Sequence, residues 1–186
     1  MPKQKITKEM VIDAAFAIAR SEGMEQVIVK KIAEKLNCSV QPIYSYCTNM
    51  DGLKKDVENK VRSFVNSYIL SRINKDDLFA STGKAYIQLA NDEPHILKIF
   101  VMQKRENITS FADLYALETN DDIAHIIAKD LNISLAKAQQ LHLNMLIYTI
   151  GIGTIFSVSS PGIPLAEIYE QQAKAYEAFL AQAKQS

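Results

Sequence analysis

IAEKLNCSVQPIYSY, residues 32–46, is the stretch on which the fold turns. Ile32, Ala33 and Leu36 lay an apolar side along one short helix, and Ile43 with Cys47 does the same for a second. The residues between are too few for anything but a tight corner. A chain leaving one helix for another at a steep angle needs a residue that tolerates positive φ, and Asn37 is among the best after glycine. Ser39 can cap the next helix by accepting from its free backbone N–H groups. Pro42 then falls at the third position of that helix, where a missing N–H costs no intrahelical bond. Ala33 is small enough for the two helices to approach closely. Together these features have the economy of a helix-turn-helix.

Working outward, Val11, Ala14, Ala15 and Ile18 follow helical spacing, with Thr7 placed to cap and Gly23 to stop an upstream helix. Downstream, Leu53, Val57, Val61, Phe64, Val65 and Tyr68 mark a longer connecting helix over 51–72. Further helices are predicted near 77–90, 95–103, 121–131, 135–158 and 165–182, with Asn120 and Ser134 as N-caps. The breaks fall at Glu93-Pro94, around Asn107, at 132–134 and at 160–164. Segment 106–119 carries the least pattern, and strand-like alternation is nowhere sustained. The expected fold is all-α: an N-terminal three-helix domain with a helix-turn-helix, residues 1–50, followed by a helical body, residues 51–186.

Composition sets bounds without choosing a function. Of 186 residues, 48% are hydrophobic and 23% charged, with only 6 glycines and 5 prolines, which excludes a disordered chain. The net charge is zero, and up to Lys60 ten basic residues face eight acidic ones, so the charge permits nucleic-acid binding but does not argue for it. Residues 1–8 have no apolar h-region, and the two cysteines lie close together, so a reduced cytoplasmic setting is expected. The most apolar stretch, 143–158, is interrupted by Asn144, Thr149, Gly151, Gly153, Thr154 and Ser157. It falls short of a membrane span and is expected to be a helix buried on several sides.

No Gly-rich phosphate loop, nucleophile elbow or paired-carboxylate motif is present, so no enzyme is expected. His95, His125 and His142 lack metal-ligand spacing from Cys, Asp or Glu, so neither metal nor cofactor is expected. Cys38 and Cys47 straddle the second short helix and are expected to pack as small hydrophobes. With Ile43 and Cys47 inward, Val40, Gln41, Tyr44, Ser45 and Tyr46 lie on or near exposed faces. That surface suits DNA: glutamine pairs bidentately with adenine, valine packs on a thymine methyl, and hydroxyls reach phosphate oxygens. The competing reading is a helical protein-interaction module, because helix-turn-helix geometry also occurs without DNA.

Three stretches add a resemblance: VIDAAFAIARSEG from residue 11, VKKIAEKLNCS from residue 29 and PIYSYCTNMDGL from residue 42. In these the first 55 or so residues resemble the head of the TetR family of bacterial transcriptional regulators, with Ile32-Ala33, Ser39, Tyr44 and Leu53 at the family's spacings. The resemblance implies that Lys30, Ser39, Val40, Gln41, Tyr44 and Tyr46 line a DNA face, with Thr48 and Lys54 near the backbone. It departs at Ile28, where the family often has threonine, at Asn37 for glycine, at Cys47 for an aromatic residue and at Met50 for lysine. The implied function is a repressor released from a near-palindromic double-stranded operator by an unknown small-molecule effector.

The body resembles the family only in being helical and of suitable length. Its last two helices carry Leu143, Leu146, Ile147, Ile150, Ile155, Phe156, Ile168, Tyr169, Tyr176 and Phe179 on more than one face, which suits pairing into a homodimer. Phe64, Tyr68, Tyr86, Phe100, Met102, Tyr115, Met145 and Tyr148, with His142, are the expected lining of a mainly apolar effector pocket.

Overall fold

The computed structural model describes residues 6–46, 49–74, 77–119, 121–159 and 162–185. Among these residues the chain is all-helical. The head holds α1 (Lys8–Glu22), a 3-10 turn (Met24–Gln26), α2 (Val29–Lys35) and α3 (Gln41–Tyr46). The connecting helix is α4 (Met50–Leu70), and the body holds α5 (Leu78–Asp92), α6 (Pro94–Val101), α7 (Phe111–Glu118), α8 (Asp121–Leu131), α9 (Leu135–Ser159) and α10 (Leu165–Gln185).

Local chemistry explains most boundaries. Thr7 caps α1 by accepting from Met10 N at 3.2 Å, and the chain leaves α1 at Gly23 with φ of 95°. Asn37, Asn107 and Asn132 all take positive φ, at 50°, 61° and 52°, and each marks a break between helices. Ser134 caps α9 through Lys137 N at 3.4 Å. Pro94 opens α6 directly after α5, where its missing N–H is one of the unpaired first-turn groups anyway. Two expectations are corrected, and one segment without a clear pattern proves helical. Helix α3 starts one residue late for Ser39 to cap it: the Val40 carbonyl accepts from Ile43 N and Tyr44 N, and Pro42 is the second residue of the helix. Segment 106–119 contains α7, capped by Ser110 through Asp113 N at 3.1 Å. Helix α9, at 25 residues, is long and apolar enough to cross a membrane by length and composition. Its packing gives that apolarity another use, since α5, α6, α8 and α10 pack against it. Cys47, Thr48 and Asn120 lie outside the described residues.

One buried core runs without interruption from Val11, Ile32, Ile43 and Leu53 in the head to Ile87, Leu97 and Ile168 in the body. Helix α4 carries it across with Leu53, Val57, Val61, Val65 and Ile69 on one buried ridge. Polar contacts lock the same junction. Arg20 of α1 donates from Nε to Glu93 Oε2 at 2.8 Å and lies over the Phe64 ring at 4.9 Å, while Lys98 of α6 reaches Glu25 at 3.2 Å.

The body's deepest polar contact explains one glycine. Gln172 of α10 is 5% exposed, and its Nε2 donates to Thr149 Oγ1 of α9 at 3.0 Å. A methyl group on Gly83 of α5 would collide with that amide nitrogen. Gly153 likewise permits the approach of α9 to Leu97, whose Cδ2 would stand 2.9 Å from an added Cβ, whereas nothing stands against Gly151. Gly83→Ala is expected to destabilise the fold by about 1–2 kcal/mol, because displacing Gln172 strands a buried amide. In a Gln172→Ala background the same change is expected to stabilise by up to about 1 kcal/mol through helix propensity. Urea unfolding of the four proteins measures both; destabilisation of equal size in both backgrounds would show that Gln172 is not what the glycine accommodates.

Candidate functional site

Helix α3 buries one side chain fully and, apart from the half-buried Pro42, leaves the rest to solvent. Ile43 is fully buried, and around it Val40 is 44% exposed, Tyr44 62% and Tyr46 36%. Gln41, Ser45 and Ser39 are exposed as well. The corner that presents this face is made by Asn37 at positive φ and by Cys38 N donating to Ala33 O at 3.0 Å, with Cys38 half-buried against the core. Of the residues the sequence singles out, Lys30, Ser39, Val40, Gln41, Tyr44 and Tyr46 are all solvent-facing, and Lys54 is half-buried near the start of α4. Ile28, ahead of α2, makes no side-chain cap and is 45% exposed.

The distribution of cations was not legible from the sequence. Lys8 pairs with Asp56 at 2.9 Å, Lys31 with Glu22, Lys60 with Asp13, and Arg20 with Glu93. Lys30, Lys35, Lys54 and Lys55 have no carboxylate partner among the described residues, so their charge is available to an anion. Asn49 also escaped the sequence reading. It accepts from Gly52 N at 2.7 Å and so fixes the start of α4 just beyond the helix-turn-helix. An Asx residue three positions before a glycine was the available signal.

In the body, the expected pocket residues fall into separate groups. Phe64 stacks with Phe16 and Tyr68 at 5.8 and 6.2 Å, where the head meets the body, and Tyr68 donates to Asp92 at 2.6 Å. Tyr86 and Phe100 form a second pair at 6.4 Å. Tyr115 and His142 form a third, with Tyr115 Oη 3.0 Å from His142 Nδ1, Phe79 at the edge of the imidazole, and Met145 buried in the neighbouring cluster. Tyr148 reaches the Gln171 carbonyl at 3.4 Å, and Met102 points to solvent, 71% exposed. A cleft of about 440 Å³ lies elsewhere, lined by Leu131, Asn132, Ile133, Ser134, Lys137, Ala183 and Lys184.

No protein-family model and no curated protein sequence matches the chain. Two solved structures share its fold over nearly the full length. BioQ, crystallised with its natural double-stranded DNA operator, superposes with a TM-score of 0.59 at 13% identity, over 95% of this chain and 99% of that one. The TetR-family transcriptional regulator HI0893 of Haemophilus influenzae superposes with a TM-score of 0.56 at 20% identity, over 90% of this chain and 94% of its own. The fold is therefore that of TetR-family regulators.

His142 makes the body sensitive to acid. Burial beside Phe79 and Tyr115 lowers its pKa from 6.5 to about 4, so at neutral pH the ring is neutral, with Nδ1 in hydrogen-bond contact with Tyr115 Oη. A ring that resists protonation when folded, but accepts it readily when unfolded, contributes full stability above pH 6.5 and loses it as pH falls toward 4. Lowering the pH from 7.5 to 5 is expected to cost the wild type about 2 kcal/mol more than it costs His142→Leu. Parallel urea curves for the two proteins check this, and identical pH slopes would contradict a buried neutral imidazole.

Proposed function

We propose that this protein is a sequence-specific DNA-binding transcriptional regulator of the cytoplasm. It works as a homodimer and as a repressor that a small-molecule effector releases from a near-palindromic operator. The observation that carries this reading is the exposed edge of α3, where Val40, Gln41, Tyr44, Ser45 and Tyr46 surround a single buried anchor, Ile43. Such a short helix, standing free of the core along most of its circumference, has the shape that enters a major groove. The full-length likeness to BioQ, a protein solved on its operator, supports the same reading. In it Gln41 and Val40 read base edges, Lys30 and Lys54 meet phosphates, and Ser39, Tyr44, Tyr46 and Thr48 supply hydroxyls to the backbone. The chain has no catalytic role and no metal or cofactor in this reading.

The outer face of α9 supports the homodimer. Ile147, Gly151, Ile155 and Val158, spaced four, four and three residues apart, share one side of the helix, and the three apolar side chains are 47%, 57% and 68% exposed. A stripe of that kind on a core helix calls for cover, and a second copy of the same stripe provides it about a two-fold axis. Of the residues expected at this interface, Leu143, Phe156 and Ile168 are buried within the chain, Leu146, Ile150, Tyr169, Tyr176 and Phe179 are half-buried, and Ile147 and Ile155 are exposed. Two heads on one dimer then face two half-sites, which a regulator needs to outcompete abundant non-specific DNA.

The DNA reading is tested with duplexes selected by the full-length protein from a randomised pool. Gln41→Ala is expected to weaken binding to the selected duplex by about 1–3 kcal/mol and to a scrambled duplex hardly at all. Lys54→Ala is expected to weaken both alike and to make the logarithmic salt dependence shallower by about one for each phosphate it no longer neutralises. Equal losses on both duplexes for Gln41→Ala would rule out the proposed orientation of α3. For the dimer, Ile155→Glu is expected to give a monomer at micromolar concentration with unchanged helicity and sharply reduced duplex affinity. Sedimentation of wild type and variant decides it, and a monomeric wild type would end the proposal.

A further inference from the structure

Where α4, α5 and α6 meet, the body has one buried hydrogen-bond donor without an acceptor. Gln103 Oε1 accepts from Arg62 Nη2, which fixes the amide orientation and turns Nε2 the other way. That Nε2 is buried and has no hydrogen-bond partner. A buried N–H left unmade costs about as much as a lost hydrogen bond, so such groups are rare in folded proteins. Arg62 has no carboxylate partner among the described residues, and its guanidinium lies over the Phe100 ring at 5.8 Å. The Tyr86 ring lies 6.4 Å from that of Phe100, and its hydroxyl makes no hydrogen bond among the described residues.

The neighbouring charges do not satisfy these donors. Arg105 and Glu118, both largely buried, pair with each other, and Arg105 also donates to the carbonyls of Val101 and Gln103 at 2.8 and 3.2 Å. Arg105 and Glu118 offset each other in net charge, burial with Glu118 adding to it holds the Tyr86 hydroxyl's pKa up, and Arg62 supplies a positive charge with no carboxylate partner among the described residues. A surplus of donors and of positive charge beside an aromatic face has one chemical complement: a group with several acceptor oxygens and negative charge on a flat or apolar body.

We propose that this junction binds a small organic acid. Its carboxylate takes hydrogen bonds from Arg62, Gln103 Nε2 and Tyr86, and its body lies against Phe100. Arg62 is exposed and offers the first contact from solvent. Gln103 lies between α6 and α7 rather than within a helix, so its amide can swing onto a ligand without unwinding either. Arg62 also stands on α4 beside the buried Val61, so a ligand held by it acts on the helix that carries the head. This last step rests on the effector reading given above; the binding itself does not.

The experiment titrates the full-length protein with benzoate and, as an uncharged match in shape, benzamide, at constant ionic strength. Benzoate is expected to bind once per chain, and benzamide at least about tenfold more weakly, the margin of a charge-assisted contact. Arg62→Met and Gln103→Leu are each expected to weaken benzoate by about tenfold or more. Free Gln103→Leu should unfold at about the urea concentration of wild type or above it, because it removes an unmatched buried donor and gives up only a contact to the exposed Arg62, which water can replace. A residue that merely held the fold together would lower that midpoint. No detectable benzoate binding, equal binding of benzamide, or unchanged binding by Arg62→Met would overturn the site. Benzoate that binds through Arg62 but leaves affinity for the selected duplex unchanged would uphold the site and overturn the effector reading alone.

Discussion

The ridge of Leu53, Val57, Val61, Val65 and Ile69 along α4 is the constraint on which the rest of the molecule depends. Its members are four residues apart, and each step of four turns about 40° around a helix of 3.6 residues per turn. The buried line therefore winds around α4 as it climbs. Different parts of it can face different neighbours, and α4 packs on α1 as well as on α5 and α6. Head and body are thus not two cores joined by a tether. They share one core through a single helix, and any rotation of α4 must repack both ends.

That sharing explains the polar contacts at the junction. The Arg20–Glu93 and Lys98–Glu25 pairs, and the seat of Arg20 on Phe64, all tie the end of α1 or its following turn to α6 with its N-cap or to α4. Exposed ion pairs of this kind add little stability, typically below about 1 kcal/mol each. Their value is geometric, since they restrict the angle at which the head leaves the body. The Asn49 cap fixes the first turn of α4.

Around α9 the body solves a different problem. A helix of 25 residues with apolar side chains on nearly every face has too little circumference covered if only one neighbour packs on it, and four helices do. Small residues admit them: Gly153 beneath Leu97, and Gly83 beneath the amide of Gln172. The side left uncovered is the line from Ile147 to Val158. The polar groups of the body divide just as clearly. Gln172 and Thr149 satisfy each other, His142 is kept neutral beside Tyr115, and among the described residues the Arg62–Gln103 junction alone retains a buried side-chain donor with no acceptor.

The sequence by itself determined the helical elements and the helix-turn-helix, because these depend on neighbours a few residues apart. The i, i+3, i+4 spacing of Val11, Ala14, Ala15 and Ile18, the cap at Thr7, and the tolerance of Asn37 for positive φ are local properties, and each acts within one or two turns. The exposed set on α3 was legible for the same reason, since one buried residue, Ile43, orients the whole short helix. The α7 segment was not, because its eight residues carry little amphipathic pattern and it is set by Ser110 and by Tyr115 packing on distant α9. Nor could the sequence tell which of its large side chains meet. Phe64, Tyr86 and Tyr115 look alike along the chain, yet tertiary packing sends them to three different sites. The pairing of Lys8, Lys31 and Lys60 with acids, the glycine that makes room for Gln172, and the unmatched donor of Gln103 were likewise decided only when remote segments came together. Each joins segments that periodicity cannot relate, and only the geometry of the packed helices selects the partner.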